Sequence, residues 1–262
     1  MGEWLWPGLS LMQGLAMLVI ALTAGAVHGF VGIGFPLIAT PLFGLMFGWR
    51  MAVALLVLPT LLVTLGPLWA FWGQGNVREA VRRYWPLGAM LPIGLWVGVA
   101  ALHTVPASVL MLLMAAVLIV YLLLDRMGHT DLPWVRAHPT LLAVPFGLMA
   151  GFSEGALNVA GPILLIYFLL LDLPVAAILA TMNGLFLAGK SIQAVLMARQ
   201  GAFDAPVLAA VLPLATLGLA GYAVGFALRR RADPSRYRGW LKVTLALIAV
   251  GLVLRVLAGG AR

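Results

Sequence analysis

His28-Gly29-Phe30-Val31-Gly32-Ile33-Gly34-Phe35-Pro36 interrupts an apolar run, Leu9–Phe47, that is too long to be one membrane-crossing helix. A simple span takes about 20 residues. The glycines ahead of Pro36 permit the backbone to unwind. Pro is well tolerated in a first helical turn, where its missing N–H would have no partner. The stretch therefore reads as a helix that stops, unwinds and restarts near Pro36. Glu154-Gly155-Ala156-Leu157-Asn158-Val159-Ala160-Gly161-Pro162 repeats the design inside a second overlong run, Leu141–Leu171. Each break has a polar residue, then Gly, then Pro seven positions after that Gly. A half-helix starting there turns its free N–H groups and positive dipole end toward the protein interior, which makes an anion site. Irregular backbone at membrane depth is tolerated only where it lines a cavity or is buried in protein. The competing reading is that the glycines only let helices pack closely. Two breaks at matching positions favour the first.

The match extends well beyond the breaks. A shift of 126 residues places Ala24-Gly25 on Ala150-Gly151, Gly29 on Gly155, Pro36 on Pro162 and Gln74-Gly75 on Gln200-Gly201. A shift of 127 places Pro86 on Pro213, Gly94 on Gly221 and Gly98 on Gly225, and one of 128 places Pro106 on Pro234. Chance apolar similarity does not keep Gly and Pro in register, so the chain reads as a duplication, which is a transporter signature. The other apolar segments are Met51–Phe71, Tyr84–Leu102, Ser108–Leu124, Ala176–Leu196, Pro206–Leu228 and Gly239–Leu257.

Composition agrees with a membrane chain. Of 262 residues, 63% are hydrophobic and 9% charged, against roughly 25% charged in soluble domains. Lipid must be the solvent for most of such a surface. The net charge of +8 comes from short basic runs between apolar segments, which read as topology signals rather than a nucleic-acid surface. With no cysteine, disulfides and thiolate metal sites are excluded. The N-terminal apolar run lacks a positive leader, with Glu3 the only charge before Arg50, so it reads as retained rather than as a signal peptide.

Charge also orients the repeats. If each overlong run crosses once, the halves are parallel and the basic residues divide about equally between the two sides. If each goes in and returns, or crosses twice, the halves are inverted. Arg78, Arg82, Arg83, Arg126, Arg136, Arg229, Arg230, Arg231, Arg236, Arg238 and Lys242 then share one side, against Arg50, Arg199, Arg255 and Arg262. The bias favours inversion. The expected fold is an all-α polytopic membrane protein with 8–10 transmembrane segments in two inverted repeats, each opening with a Gly/Pro-broken or re-entrant helix. The whole chain, 1–262, is then one membrane domain. Its first repeat covers 9–125, a cytoplasmic linker 126–138 and the second repeat 139–258. The expected location is the inner (plasma) membrane, with both termini outside the cytoplasm.

The string HGFVGIGFPLIATPLF (28–43), echoed by EGALNVAGPILLIYFLL (154–170), resembles the TauE/SafE, or sulfite exporter, family of membrane transporters. The resemblance spans essentially the whole chain. In the second break Asn158 and Ala160 replace Gly32 and Gly34, and the first break ends in Phe35-Pro36 where the family more often has a third glycine. The resemblance implies passage of small anionic sulfur or organosulfur compounds such as sulfite or sulfoacetate.

Candidate site residues follow from the breaks and from polar groups inside apolar segments. Gly32, Gly34, Phe35 and Pro36, with Asn158, Gly161 and Pro162, are candidates to meet substrate at the half-helix N-termini. Glu154 is the acid well inside an apolar segment, where a carboxylate must be protonated, paired or facing water. His28 is its repeat partner, and an imidazole ordinarily titrates near physiological pH. Both are candidates for proton coupling or gating, against a purely structural role. A metal site needs more ligands than this pair. Lys190 is the cation deep in a span, suited to attract the anion or to balance Glu154, against simple snorkelling. Asn183, seven residues earlier, shares its face, and Gln193 lies one turn further on. Thr64, at Lys190's repeat position, and Thr60 one turn before it can line the same path, unless they only bond their own helix. Six tryptophans, Trp4, Trp6, Trp69, Trp72, Trp85 and Trp240, fall near segment ends, as in an interfacial belt.

A secondary transporter of small anions, with proton coupling open, fits these features best. The halves would rock about the central site. An anion channel of similar substrate range is the alternative. An intramembrane enzyme lacks a catalytic pair: Ser153 has no evident base, and Ser191 beside Lys190 points to another face. No catalytic residues, cofactor or metal are expected. The partners expected are a small anionic substrate and membrane lipid, not nucleic acid, with a homodimer left open.

Overall fold

Helices begin and end where the sequence supplies caps and breaks. The computed structural model describes residues 10–32, 34–71, 84–127, 137–171, 175–229 and 234–259, and every regular element among them is helical. The first overlong run forms α1 (Leu11–Val31) and α2 (Phe35–Phe47), followed by α3 (Trp49–Phe71), α4 (Trp85–Thr104) and α5 (Ala107–Met127). The second forms α6 (Pro139–Leu157) and α7 (Gly161–Leu170), followed by α8 (Val175–Arg199), α9 (Ala205–Arg229) and α10 (Pro234–Leu257). Ser10 opens α1 with a capping box: its hydroxyl accepts the Gln13 N–H at 3.2 Å, and Gln13 Oε1 accepts the Ser10 N–H at 3.0 Å.

Each overlong run is broken at the stretch the sequence marks. Gly32 takes φ 93°, with its N–H donating to His28 O at 2.7 Å, and Gly34 takes φ 138° at the cap of α2. Such angles are strained for any residue with a side chain. In the second break Asn158 does the turning at φ 63°, and its N–H donates to Glu154 O at 3.0 Å. Asn is one of the few L-residues that adopts this left-handed conformation routinely. Pro36 and Pro162 each sit in the first turn of the restarted helix.

The described helices of the two halves exchange partners. α1 packs along α9, and α4 packs along α6. Both contacts bring backbone against backbone. A Cβ on Gly25 would meet Gly218 O at 2.1 Å, and one on Gly225 would meet Ala26 O at 1.9 Å. In the other pair, a Cβ on Gly94 would meet Leu148 O at 2.1 Å, and one on Gly151 would meet Leu91 O at 2.1 Å. Glycines four residues apart, Gly25 and Gly29 or Gly94 and Gly98, open one helix face to this approach. α3 also meets α8, and α5 meets α10.

The surface and the interior are exchanged relative to a soluble protein. Leu15, Trp96, Leu123, Leu212 and Leu247 are exposed, whereas Glu154, Asn158, Lys190 and Gln193 are buried. Among the described residues, five helices are long and apolar enough to cross a membrane: α1, α4, α5 over Ala107–Leu124, α6 and α9. The chain is a multi-pass helical membrane protein. Trp85, at the start of α4, is exposed as a belt residue would be. Trp4, Trp6, Trp72, Arg78, Arg82, Arg83, Arg136, Arg230, Arg231 and Arg262 lie outside the described residues, as does most of the segment 126–138.

Candidate functional site

The two breaks face one cavity. Gly34, Pro36 and Leu37 line it from the first, and Val159, Ala160, Gly161 and Pro162 from the second. His28 of α1, Glu154 of α6, Thr60 and Thr64 of α3, and Phe186 and Lys190 of α8 complete the wall. Its volume is about 20 Å³, room for a single water. Helix N-termini from both halves of the chain thus converge on the same small space.

Lys190 dominates one wall. Its Nζ lies 2.6 Å from Glu154 Oε1. The same ammonium donates to Gln193 Oε1 at 2.9 Å, to Asn158 O at 3.2 Å, and to the Asn158 side-chain oxygen. Gln193 in turn donates from Nε2 to Glu154 O at 2.8 Å, which satisfies a carbonyl at the end of α6. A buried charge is sustained only with a partner and hydrogen bonds around it, and Lys190 has both. The left-handed turn at Asn158 lets its backbone and side-chain oxygens address one cation together.

From α1 and α3 the cavity is lined by an imidazole and two hydroxyls. His28 is buried, and its Nδ1 accepts the Phe35 N–H, the first amide of α2, at 3.4 Å. Its ring tilts against Tyr222 of α9, with centroids 5.8 Å apart. Thr64 donates to Thr60 O at 2.8 Å. Among the described residues, His28 Nε2 and Thr60 Oγ1 are buried without a hydrogen-bond partner, and both belong to residues of the cavity wall. Native proteins rarely leave such groups unmatched.

Several candidates named from sequence therefore meet at the cavity: His28, Gly34, Pro36, Thr64, Glu154, Gly161, Pro162 and Lys190. Others sit behind it. Gly32 caps α1, Phe35 offers its amide to His28, and Asn158 and Gln193 hold Lys190 from outside the wall. Asn183 is buried on α8 and does not line the cavity. Sequence reading passed over Thr40, Trp49 and Phe186, and weighed Ser153 only as an enzyme nucleophile. Thr40 Oγ1 accepts from Asn158 Nδ2 at 2.9 Å, and Trp49 Nε1 donates to Ala156 O at 3.0 Å, so α2 and α3 are tied to the second break. Ser153 donates to Val159 O inside that break. A Thr and a Trp within apolar runs carry no local signal of such long-range contacts. Ser153 was the legible one, as a hydroxyl five residues before an unwound carbonyl-bearing stretch.

Residues 17–252 match the family model described as Sulfite exporter TauE/SafE. No curated protein and no solved structure was found to match the chain.

Proposed function

The chain belongs to the sulfite exporter TauE/SafE family, and from that membership we propose that it is a secondary transporter of small anionic sulfur or organosulfur compounds such as sulfite or sulfoacetate. As a member it is a membrane transporter of anions and not an enzyme. The observation that carries the finer reading is the meeting of both broken helices, Lys190 and two unmatched polar groups at one buried cavity. Two positive helix ends and an ammonium favour an anion. Hydroxyl and imidazole groups supply hydrogen bonds to oxygen atoms, which suits an oxyanion.

The cavity is too small for such an anion in this conformation, so substrate entry requires the walls to separate. That favours a carrier with alternating access over a channel with a standing path. The exchanged helix pairs support two repeats, over 9–125 and 139–258, related by a two-fold axis. The basic bias of the sequence supports their inversion, with the segment 126–138 and the basic loops on the cytoplasmic side.

Coupling to protons follows from charge balance. The Glu154–Lys190 pair is neutral as a unit. An anion that draws Lys190 toward itself leaves Glu154 as an unmatched carboxylate in a low-dielectric interior, an expensive state. A proton on Glu154 restores neutrality, so anion and proton travel together. The test is uptake into proteoliposomes of sulfite, sulfoacetate, sulfate and unrelated anions, with and without a pH gradient. Wild type is expected to show saturable uptake of a sulfur anion. Lys190→Ala is expected to abolish it, and Glu154→Gln to remove its response to the gradient. Selective uptake indifferent to both changes would move the site elsewhere.

A further inference from the structure

We propose that His28 is a substrate-binding donor: its neutral imidazole holds the anion through Nε2–H, and the first amide of α2 keeps the proton on that nitrogen. This rests on the transporter reading and assigns His28 a role other than carrying the coupled proton.

The assignment starts from the ring's two nitrogens. A neutral imidazole has one N–H and one acceptor nitrogen. Phe35 N–H is a donor aimed at Nδ1, so Nδ1 presents its lone pair and the proton resides on Nε2. The amide belongs to a helix start whose N–H groups have no partner within the helix. His28 therefore both caps α2 and is locked into one tautomer by it. The ring is 2% exposed, so Nε2 can be met only from within the cavity.

Nothing nearby, among the described residues, provides an anion to hold an imidazolium. Glu154 lines the same cavity but is matched by Lys190. From α9 the ring meets the neutral Tyr222, and α2 carries no titratable side chain. Thr60 Oγ1, equally unmatched, faces the cavity from α3. The two donors come from different elements, and Lys190 comes from a third. Together they suit an anion with several oxygen acceptors, one of which His28 takes.

The repeat relation sharpens the point. His28 and Glu154 occupy matching positions, 126 apart, as do Thr64 and Lys190. One half of the chain supplies a neutral donor set and the other an ion pair. The charge change belongs to the Glu154 side, and recognition of the oxygen atoms to the His28 side.

Three substitutions separate the possible roles, each assayed by concentration- and pH-dependent uptake of the transported anion in proteoliposomes. His28→Gln places an amide N–H near the Nε2 position without a titrating group. His28→Asn places a carbonyl near Nδ1 and can still cap α2, but its shorter amide has no N–H that reaches the Nε2 position. His28→Phe removes both. A KM raised about tenfold in Asn and Phe, with most of the affinity recovered in Gln and the pH profile of wild type kept in all three, is the expected result. Loss of the pH response in Gln would make His28 the titrating group and overturn the proposal. So would a normal KM in Asn, which would leave only a capping role. Nitrogen NMR of histidine-labelled protein gives an independent reading, with the His28 signal identified by its absence in His28→Gln. An Nε2-protonated neutral ring near pH 7 is expected, and an imidazolium or an Nδ1–H ring overturns the assignment. Wild type that is folded and moves no anion would defeat the transporter reading itself. Wild-type flux with the variants in another order would defeat only the role of His28.

Discussion

Lys190 is caged by Glu154, Asn158 and Gln193 in an interior surrounded by lipid-facing helices, so removing any one partner leaves the others unbalanced. Breaking a buried ion pair from one side costs about 3–5 kcal/mol, whereas replacing both charges with neutral groups of similar shape is often harmless. Lys190→Met is therefore expected to destabilise the protein by that order. Lys190→Met combined with Glu154→Gln should recover most of the stability without recovering transport. Thermal unfolding in detergent, read beside uptake, checks both halves of the statement. Full stability in Lys190→Met alone would show that the pair does not hold the break together. Asn158 makes a further case. Asn158→Gly keeps the left-handed turn at no steric cost but removes the contacts to Lys190 and Thr40. It should fold and lose transport, while Asn158→Ala should also lose stability, by about 1 kcal/mol, from the strained angle.

Among the helices, the contacts that matter most are those with no side chain in them. A Cβ on Gly29 would lie 2.0 Å from Tyr222 O, and one on Gly155 would lie 2.5 Å from Leu95 O. Backbone on both sides leaves nothing flexible to move aside. Gly29→Val and Gly155→Val are each expected to cost about 1–3 kcal/mol or more through overpacking, seen as a lowered melting temperature and aggregation in detergent. A normal melting profile would mean that the helices do not approach this closely. These glycines were legible in the sequence as register marks of a repeat, and the breaks were legible through Pro36 and Pro162. Their division of labour was not. Gly25, Gly29, Gly151 and Gly155 serve close packing, whereas Gly32, Gly34 and Asn158 do the unwinding. Spacing alone treats the two kinds alike, because both need only a small or absent side chain. The tie from Trp49 to Ala156 spans 107 residues, and no local period encodes a partner at that distance. Lys190 was legible because a cation has few reasons to be deep in an apolar segment. Gln193 was legible as part of a polar stripe with Asn183 and Lys190, and its amide donates to Glu154 O while its carbonyl accepts from Lys190.

For the molecule as a whole, orientation is testable because the chain has no cysteine. Single cysteines at Gln74 and Arg230 are expected to label from the cytoplasm, and one at Gln200 from the opposite side. Gln74 and Gln200 are repeat equivalents, 126 apart, so labelling of both from the same side would make the repeats parallel. The exchanged pairs α1–α9 and α4–α6 bear on what moves. Each pair is locked along its backbone, and each takes one helix from either half of the chain. If the halves arose by duplication and the carrier rocks as proposed, the piece that was repeated and the piece that swings are different objects. Each half of the chain leaves a glycine face without its partner helix, so a fragment ending near residue 127 or one starting near residue 137 should fail to fold by itself. Co-expressed, the two fragments should find each other through the glycine faces and restore transport by complementation. Independent folding of either fragment would return the moving unit to the repeat.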